Sequence, residues 1–238
     1  MQLVLHSTCG LDEKGGIIML LQSVPRCAEM PPAIPHAASV VFVVDDDISV
    51  REALQALIRQ AGWQTEPFAS AKDFLDHPRD AVPSCLVLDV SLPGLSGLEL
   101  QSRITSVGAE LPIIFITGYG DVPTTVQAMK AGAVDFLTKP FSDDALLAAI
   151  KGALARSEAR LASEAAKQSL TGRYASLSRR EQEVMALVVS GLMNKQVGGE
   201  LGISEITVKA HRGQVMRKMQ AKSLADLVKM AASLDLDH

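Results

Sequence analysis

The sequence predicts a doubly wound α/β domain built on a five-stranded parallel sheet, followed by an all-α four-helix domain containing a helix-turn-helix. Three observations carry this reading. From Ser39 onward, five short apolar runs alternate with helical stretches, and beyond Ser176 only helical periodicity remains. The charge divides in the same place. Residues 39–156 hold nine bases against fifteen acids and residues 157–238 twelve against nine, so a net charge of −4 over 238 residues conceals an acidic half and a basic half.

The elements follow in order. Val40–Val44 reads as a buried strand ending in Asp45-Asp46-Asp47, and Val50, Ala53, Leu54, Leu57, Ile58 and Ala61 mark one face of a helix closed by Gly62. Trp63–Phe68 is a strand and Ala71–Leu75 a short helix. Cys85–Leu88 is a strand ending in Asp89, and the Pro93-Gly94 turn leads to a helix over Gly97–Ser106. Ile113–Ile116 ends in Thr117 and precedes a helix from Val122 to Ala131. Val134–Leu137 ends near Lys139-Pro140, and a helix starts at Asp143. Its Ala/Glu/Arg/Lys-rich continuation to Gln168 predicts a linker helix that stops at Gly172.

In the back half, Ser178 and Glu181 have the spacing of a capping box, Val184, Leu187 and Val188 give an apolar face, and Gly191 ends the helix. A short helix over Asn194–Leu201 stops at Gly202, Ser204 caps a longer one through Met219, and Leu224–Leu234 supplies the fourth. Ile206, Val208, Val215 and Met219 read as the packing side of the longer helix. Lys209, His211, Arg212, Arg217 and Lys218 form a basic side suited to a major groove.

Residues 1–38 show no sustained periodicity and hold four of the eleven prolines, so they read as a flexible leader outside the chemistry, with Met19 and Met30 as alternative starts to Met1. The resulting division is 1–38 leader, 39–156 first domain, 157–172 linker and 173–238 DNA-binding domain. No run approaches the roughly 18 apolar residues of a membrane helix. Three cysteines without metal spacing argue against a disulfide framework or a zinc site. A soluble, cytoplasmic protein without a membrane partner is the expectation.

Chemistry is concentrated in the first domain. Asp45/Asp46, Asp89, Thr117 and Lys139 each fall at or just past the C-terminal end of a different strand, the edge at which open α/β sheets bind ligands. Unpaired carboxylates converging there would repel one another, and an oxygen-seeking cation such as Mg²⁺ removes the conflict. A carboxylate beside such a cation and an ammonium is suited to attack phosphorus, and the Thr117 hydroxyl can donate to an arriving phosphoryl oxygen. Spacing leaves open which carboxylate is the acceptor.

Val43–Asp47, Leu88–Gly97, Ile116-Thr117-Gly118 and Thr138-Lys139-Pro140 resemble the receiver domain of two-component response regulators, a flavodoxin-like fold, from about Val40 to Arg156. The resemblance implies Asp89 as phospho-acceptor and a Mg²⁺ ion held by Asp45, Asp46, Asp89 and the carbonyl of Ser91. It makes Thr117 and Lys139 the phosphate-sensing pair and Phe136 the aromatic switch. Leu92 stands where the family usually has Met.

Leu177–Glu181, Asn194–Val197 and Leu201–His211 resemble the LuxR-type helix-turn-helix, and the two domains in this order resemble the NarL/FixJ class. That implies Lys209, Ala210 and Gly213 facing base edges, with Arg212 or Gln214 reading where Gly213 has no side chain. Lys195, Thr207, His211, Arg212 and Arg217 are the implied phosphate contacts. Gly198-Gly199 departs from an Ala-containing segment, at a cost of about 1 kcal/mol per glycine.

The expected function is transcription regulation controlled by phosphorylation of Asp89. A sensor histidine kinase is the expected donor, double-stranded DNA the target and a homodimer the phosphorylated form. The chain is not expected to be an enzyme beyond phosphotransfer to Asp89 and its autodephosphorylation. A small-molecule phosphatase would need specificity groups for which no motif is visible. A constitutive DNA-binding protein would not need Asp45, Asp46, Asp89, Thr117 and Lys139 together.

Overall fold

The structure is a computed structural model, described for residues 10–11, 17–18, 39–106, 110–118 and 122–234. Within residues 1–38, β1 (Gly10–Leu11) pairs antiparallel with β2 (Ile17–Ile18). The rest of residues 1–38, where a flexible leader is expected, lies outside the described residues.

The five strands of the first domain are β3 (Val40–Val44), β4 (Gln64–Phe68), β5 (Ser84–Asp89), β6 (Ile113–Thr117) and β7 (Asp135–Thr138). They form one parallel sheet in the order β4-β3-β5-β6-β7. The interior strands β3, β5 and β6 are almost continuous Val, Ile, Leu and Phe because helices cover both of their faces. Pro67, which cannot donate to a ladder, sits in the edge strand β4.

Alternation sorts the side chains into two cores. Phe42, Val44, Leu86, Leu88 and Phe115 face α2 (Ala71–Asp76), α3 (Gly97–Ser106) and α4 (Val122–Lys130) through Phe74, Leu100, Ile104 and Ala128. Val41, Val43, Val87, Ile114 and Ile116 face α1 (Ile48–Gln60) and the start of α5 (Asp143–Ala175) through Leu54, Ile58, Leu146 and Ile150. Cys85 lies in this second core, where burial pushes its thiol pKa up and leaves it as packing.

The helix α5 is one element from Asp143 to Ala175, not one that stops at Gly172. Leu170 and Tyr174, on either side of that glycine, both pack on the helical domain's core of Leu177, Met185, Val215, Met219 and Leu227. This burial outweighs the roughly 1 kcal/mol a helical glycine costs. The end comes at Ser176, whose N–H bonds back to Gly172 and Arg173.

Four helices follow: α6 (Arg179–Val189), α7 (Asn194–Leu201), α8 (Glu205–Met219) and α9 (Leu224–Ser233). Ser178 and Glu181 satisfy each other's backbone N–H groups in a reciprocal box that starts α6. Gly202 ends α7 at φ 67°, and Ser204 caps α8 two residues later by accepting from Thr207 N–H. Val184, Val188, Val197 and Val208 fill the space between α6, α7 and α8.

Candidate functional site

The parallel sheet brings the C-terminal ends of β3, β5, β6 and β7 to one edge. Asp45, Asp89 and Thr117 are 1%, 6% and 0% exposed there, whereas Asp46 is open to solvent. Lys139 follows β7 and is held by its N–H, which donates to the Thr117 carbonyl at 2.7 Å. Its ammonium reaches Asp45 Oδ2 at 2.8 Å and Asp89 Oδ1 at 3.4 Å. Two carboxylates thus share one ammonium.

Burial raises the Asp89 pKa above the ordinary carboxylate value, and the nearby Asp45 charge adds to the rise, while Lys139 opposes both. Lys139 shows the reverse balance. Burial disfavours its charge, yet the bond to Asp45 and the two carboxylate charges overcome this and raise its pKa. Asp89 Oδ2 also accepts from the Ser91 N–H at 3.2 Å, which orients the carboxyl group.

Two residues outside the polar set support this site. Arg51 on α1 donates to the Asp45 carbonyl. Gly97 opens α3 so close to β5 that a Cβ there would lie 2.5 Å from the Asp89 carbonyl oxygen, so the acceptor strand's end is seated on a residue that must lack a side chain. The Asp47 side chain caps α1 by accepting from Ser49 N–H, while its backbone N–H donates to Asp45 Oδ1 at 2.9 Å. Phe136 is partly buried, with its ring 6.2 Å from that of Phe115. Leu92 is buried in the same core.

The side chains near this edge that could contribute to holding a cation, the carboxylates of Asp45, Asp46 and Asp89, are all oxygen donors. One ammonium leaves negative charge uncompensated, and hard oxygen donors with excess charge fit Mg²⁺. Among the described residues, no three His, Cys, Asp or Glu side chains form a group able to hold a metal ion alone. Main-chain oxygen and water would have to complete the coordination.

In the helical domain, α8 presents Ile206, Lys209, Ala210, Gly213 and Arg217 to solvent and buries Val208, Val215 and Met219. Ile206 therefore does not pack as its apolar character suggests: it is 80% exposed, because it lies away from the Val208 face. Lys195 and Thr207 are exposed as well. Thr207 Oγ1 and Ser204 Oγ lie 2.8 Å apart, and Lys209 pairs with Glu205 at 3.1 Å. His211, Arg212 and Gln214 are half-buried. Arg212 donates to Asn194 Oδ1 at 3.1 Å, tying α8 to the start of α7, and Arg217 bonds to Gln214.

Other cations serve the scaffold. Arg173 donates to the Met219 carbonyl, Arg180 to the Leu201 carbonyl, and Lys218 to Glu181 at 2.6 Å and to the Ser176 carbonyl. Each closes a helix end or buries a pair, the use expected of cations near C-terminal carbonyls.

Comparison with known proteins accords with both halves. The response regulator receiver domain family matches residues 41–151, and the luxR family of bacterial regulatory proteins matches residues 175–231. Nodulation protein W of Bradyrhizobium diazoefficiens is 52% identical over 198 residues, spanning 83% of this chain and 87% of that protein. The chain belongs to the response regulators of the NarL/FixJ class. Further relatives of this response regulator are TodT of Pseudomonas putida, 46% identical over 83% of the chain and 87% of TodT, and FixJ of Azorhizobium caulinodans, 45% identical over 85% and 93%. The solved structure of the response regulator StyR superposes with a TM-score of 0.76 at 49% identity, covering 82% of this chain and 99% of StyR. Full-length FixJ from B. japonicum gives 0.51 at 42% identity over 85% and 100%. A receiver joined to a LuxR-type DNA-binding domain makes this response regulator a phosphorylation-dependent regulator of transcription. No helix among the described residues is long and apolar enough to cross a membrane.

Proposed function

We propose that Asp89 accepts a phosphoryl group from a sensor histidine kinase and that this controls dimerisation and DNA binding by the α6–α9 domain. The observation that carries the reading is the shared ammonium: Lys139 spans Asp45 and Asp89 at the sheet edge. In the transfer, the phosphorus–nitrogen bond to the donor histidine breaks as a bond to an Asp89 carboxylate oxygen forms, and the imidazole recovers a proton. Ser91 N–H holds the carboxylate for attack, and Lys139 stabilises charge on the transferring oxygens. Bound Mg²⁺, held by Asp45, Asp46, Asp89 and the Ser91 carbonyl, would supply further neutralisation of those oxygens.

Phosphorylation at Asp89 gives Lys139 and Thr117 a new acceptor. A rearrangement of Thr117 and Phe136 toward it would shift the receiver between two populations, one of which favours the dimer. Paired α8 helices then reach half-sites about one DNA turn apart. Lys209, Ala210 and Gly213 face base edges, with Gln214 and Arg212 flanking them. Lys195, Thr207, His211, Arg212 and Arg217 contact phosphates. Incubation with Mg²⁺ and a small acyl phosphate, followed by intact-mass measurement and peptide mapping, tests the first step: one phosphoryl group on Asp89 is expected, and modification of another residue would overturn it.

A further inference from the structure

Ile206 is the most exposed of the large apolar side chains described, at 80%, and it lies in the first turn of α8. A single exposed apolar side chain is ordinary on a protein surface. The position of this one gives it a ligand. Residues 206, 209, 210, 213 and 217 recur at helical spacing on one side of α8, so Ile206 shares its face with Lys209, Ala210, Gly213 and Arg217. Ala210 and Gly213 project little or nothing from that face, so a surface that approaches it closely must meet the longer Ile206 side chain. Lys209, paired with Glu205 at 3.1 Å, lies one turn along from Ile206 on this face, with the exposed Arg217 further along it, and Lys195 on α7 is exposed as well.

A branched hydrocarbon amid cations recognises an apolar group embedded in an anionic surface. The major groove offers one such group, the C5-methyl of thymine. We infer that Ile206 is a specificity-determining residue that packs on a thymine methyl at one position of each half-site. This rests on the DNA-binding reading of α8 given above. It also accounts for how readout survives at a helix whose Gly213 has no side chain: part of the sequence information moves from hydrogen bonding to a methyl contact about two helical turns earlier.

The experiment uses the full-length chain treated with Mg²⁺ and an acyl phosphate. A binding duplex is first selected from random sequence, and each thymine is then replaced in turn by uracil, which removes the methyl and leaves the pairing edge intact. At one thymine per half-site, wild type should lose affinity by about fourfold, the worth of one buried methyl-sized group. Ile206→Ala should bind thymine and uracil duplexes equally, and Ile206→Val should fall between. Because the side chain is exposed, all three proteins should have the same helical content. The inference is overturned if no uracil substitution weakens wild type, or if Ile206→Ala loses as much as wild type at the same position. Failure to select any duplex would overturn the DNA-binding reading itself, and the inference with it.

Discussion

Ser157 on α5 accepts a hydrogen bond from the backbone N–H of Ser84, the first residue of β5, at 3.1 Å across 73 residues of sequence. The helix that continues into the DNA-binding domain is thereby fastened to the start of the strand that ends at Asp89. Ser157 is 1% exposed and Ser84 half-buried, so removing the hydroxyl takes away the partner of a backbone donor at the edge of the core. Ser157→Ala is expected to destabilise the receiver by about 1–3 kcal/mol, read as a lowered urea midpoint with an unchanged slope.

Asp89→Asn is expected to stabilise the unphosphorylated fold. The Asp89 carboxyl has a folded pKa raised first by burial and then by Asp45, so its ionisation is disfavoured by folding. A raised acid pKa leaves stability intact below the unfolded value, erodes it as pH rises toward the folded value, and leaves a constant penalty above that. The variant lacks the penalty, so its advantage should appear at neutral pH and vanish on acidification. Thermal melts of both proteins across that range measure it, and a lower melting temperature for the variant at neutral pH would refute the account.

The adjacent glycines of α7 should respond in opposite directions. A Cβ on Gly198 would lie 2.8 Å from the Ile203 carbonyl oxygen, whereas one on Gly199 meets nothing within 4 Å. Gly199→Ala is expected to stabilise the helical domain by about 0.5–1 kcal/mol through helix propensity alone. Gly198→Ala forces a backbone shift at the turn between α7 and α8 and should destabilise. Denaturant titration of the two variants decides it. The apparent weakness of a double glycine is, at one of the two positions, a packing requirement.

Acid sensitivity of the helical domain is expected to run through Glu181. The bond from Lys218 and the Ser178 N–H of the capping box hold its carboxyl below the ordinary glutamate value. A depressed folded pKa contributes stability that is full above the unfolded value and is lost as pH falls through the folded one. Lys218→Met should therefore flatten the fall in helix signal between mildly acidic and strongly acidic pH, followed by circular dichroism.

Much of this was legible in the residues because burial and strand geometry write directly into sequence. The apolar runs before Asp45, Asp89 and Thr117 are long enough, and β-branched enough, to mark both the strands and the edge where those polar residues meet. The caps at Ser178 and Ser204 and the stop at Gly202 were readable for the same local reason. Tertiary partners were not. Gly172 reads as a stop until Leu170 and Tyr174 are seen packing on Met185 and Val215. Ile206 reads as core until the helix's orientation turns it outward, and Lys218 reads as a DNA-facing base until Glu181 is found 2.6 Å away. Gly97 shows no need for its missing side chain until the Asp89 carbonyl is placed against it.

The central claim is that phosphorylation of Asp89 sets DNA affinity. Its most direct test is a titration of a selected operator duplex with wild type and Asp89→Asn, each with and without Mg²⁺ and an acyl phosphate, with phosphoryl content measured on the same samples. The account predicts that wild type gains one phosphoryl group and binds more tightly in proportion to it, while Asp89→Asn gains none and keeps one affinity throughout. Full phosphorylation of wild type with no change in DNA affinity would contradict it.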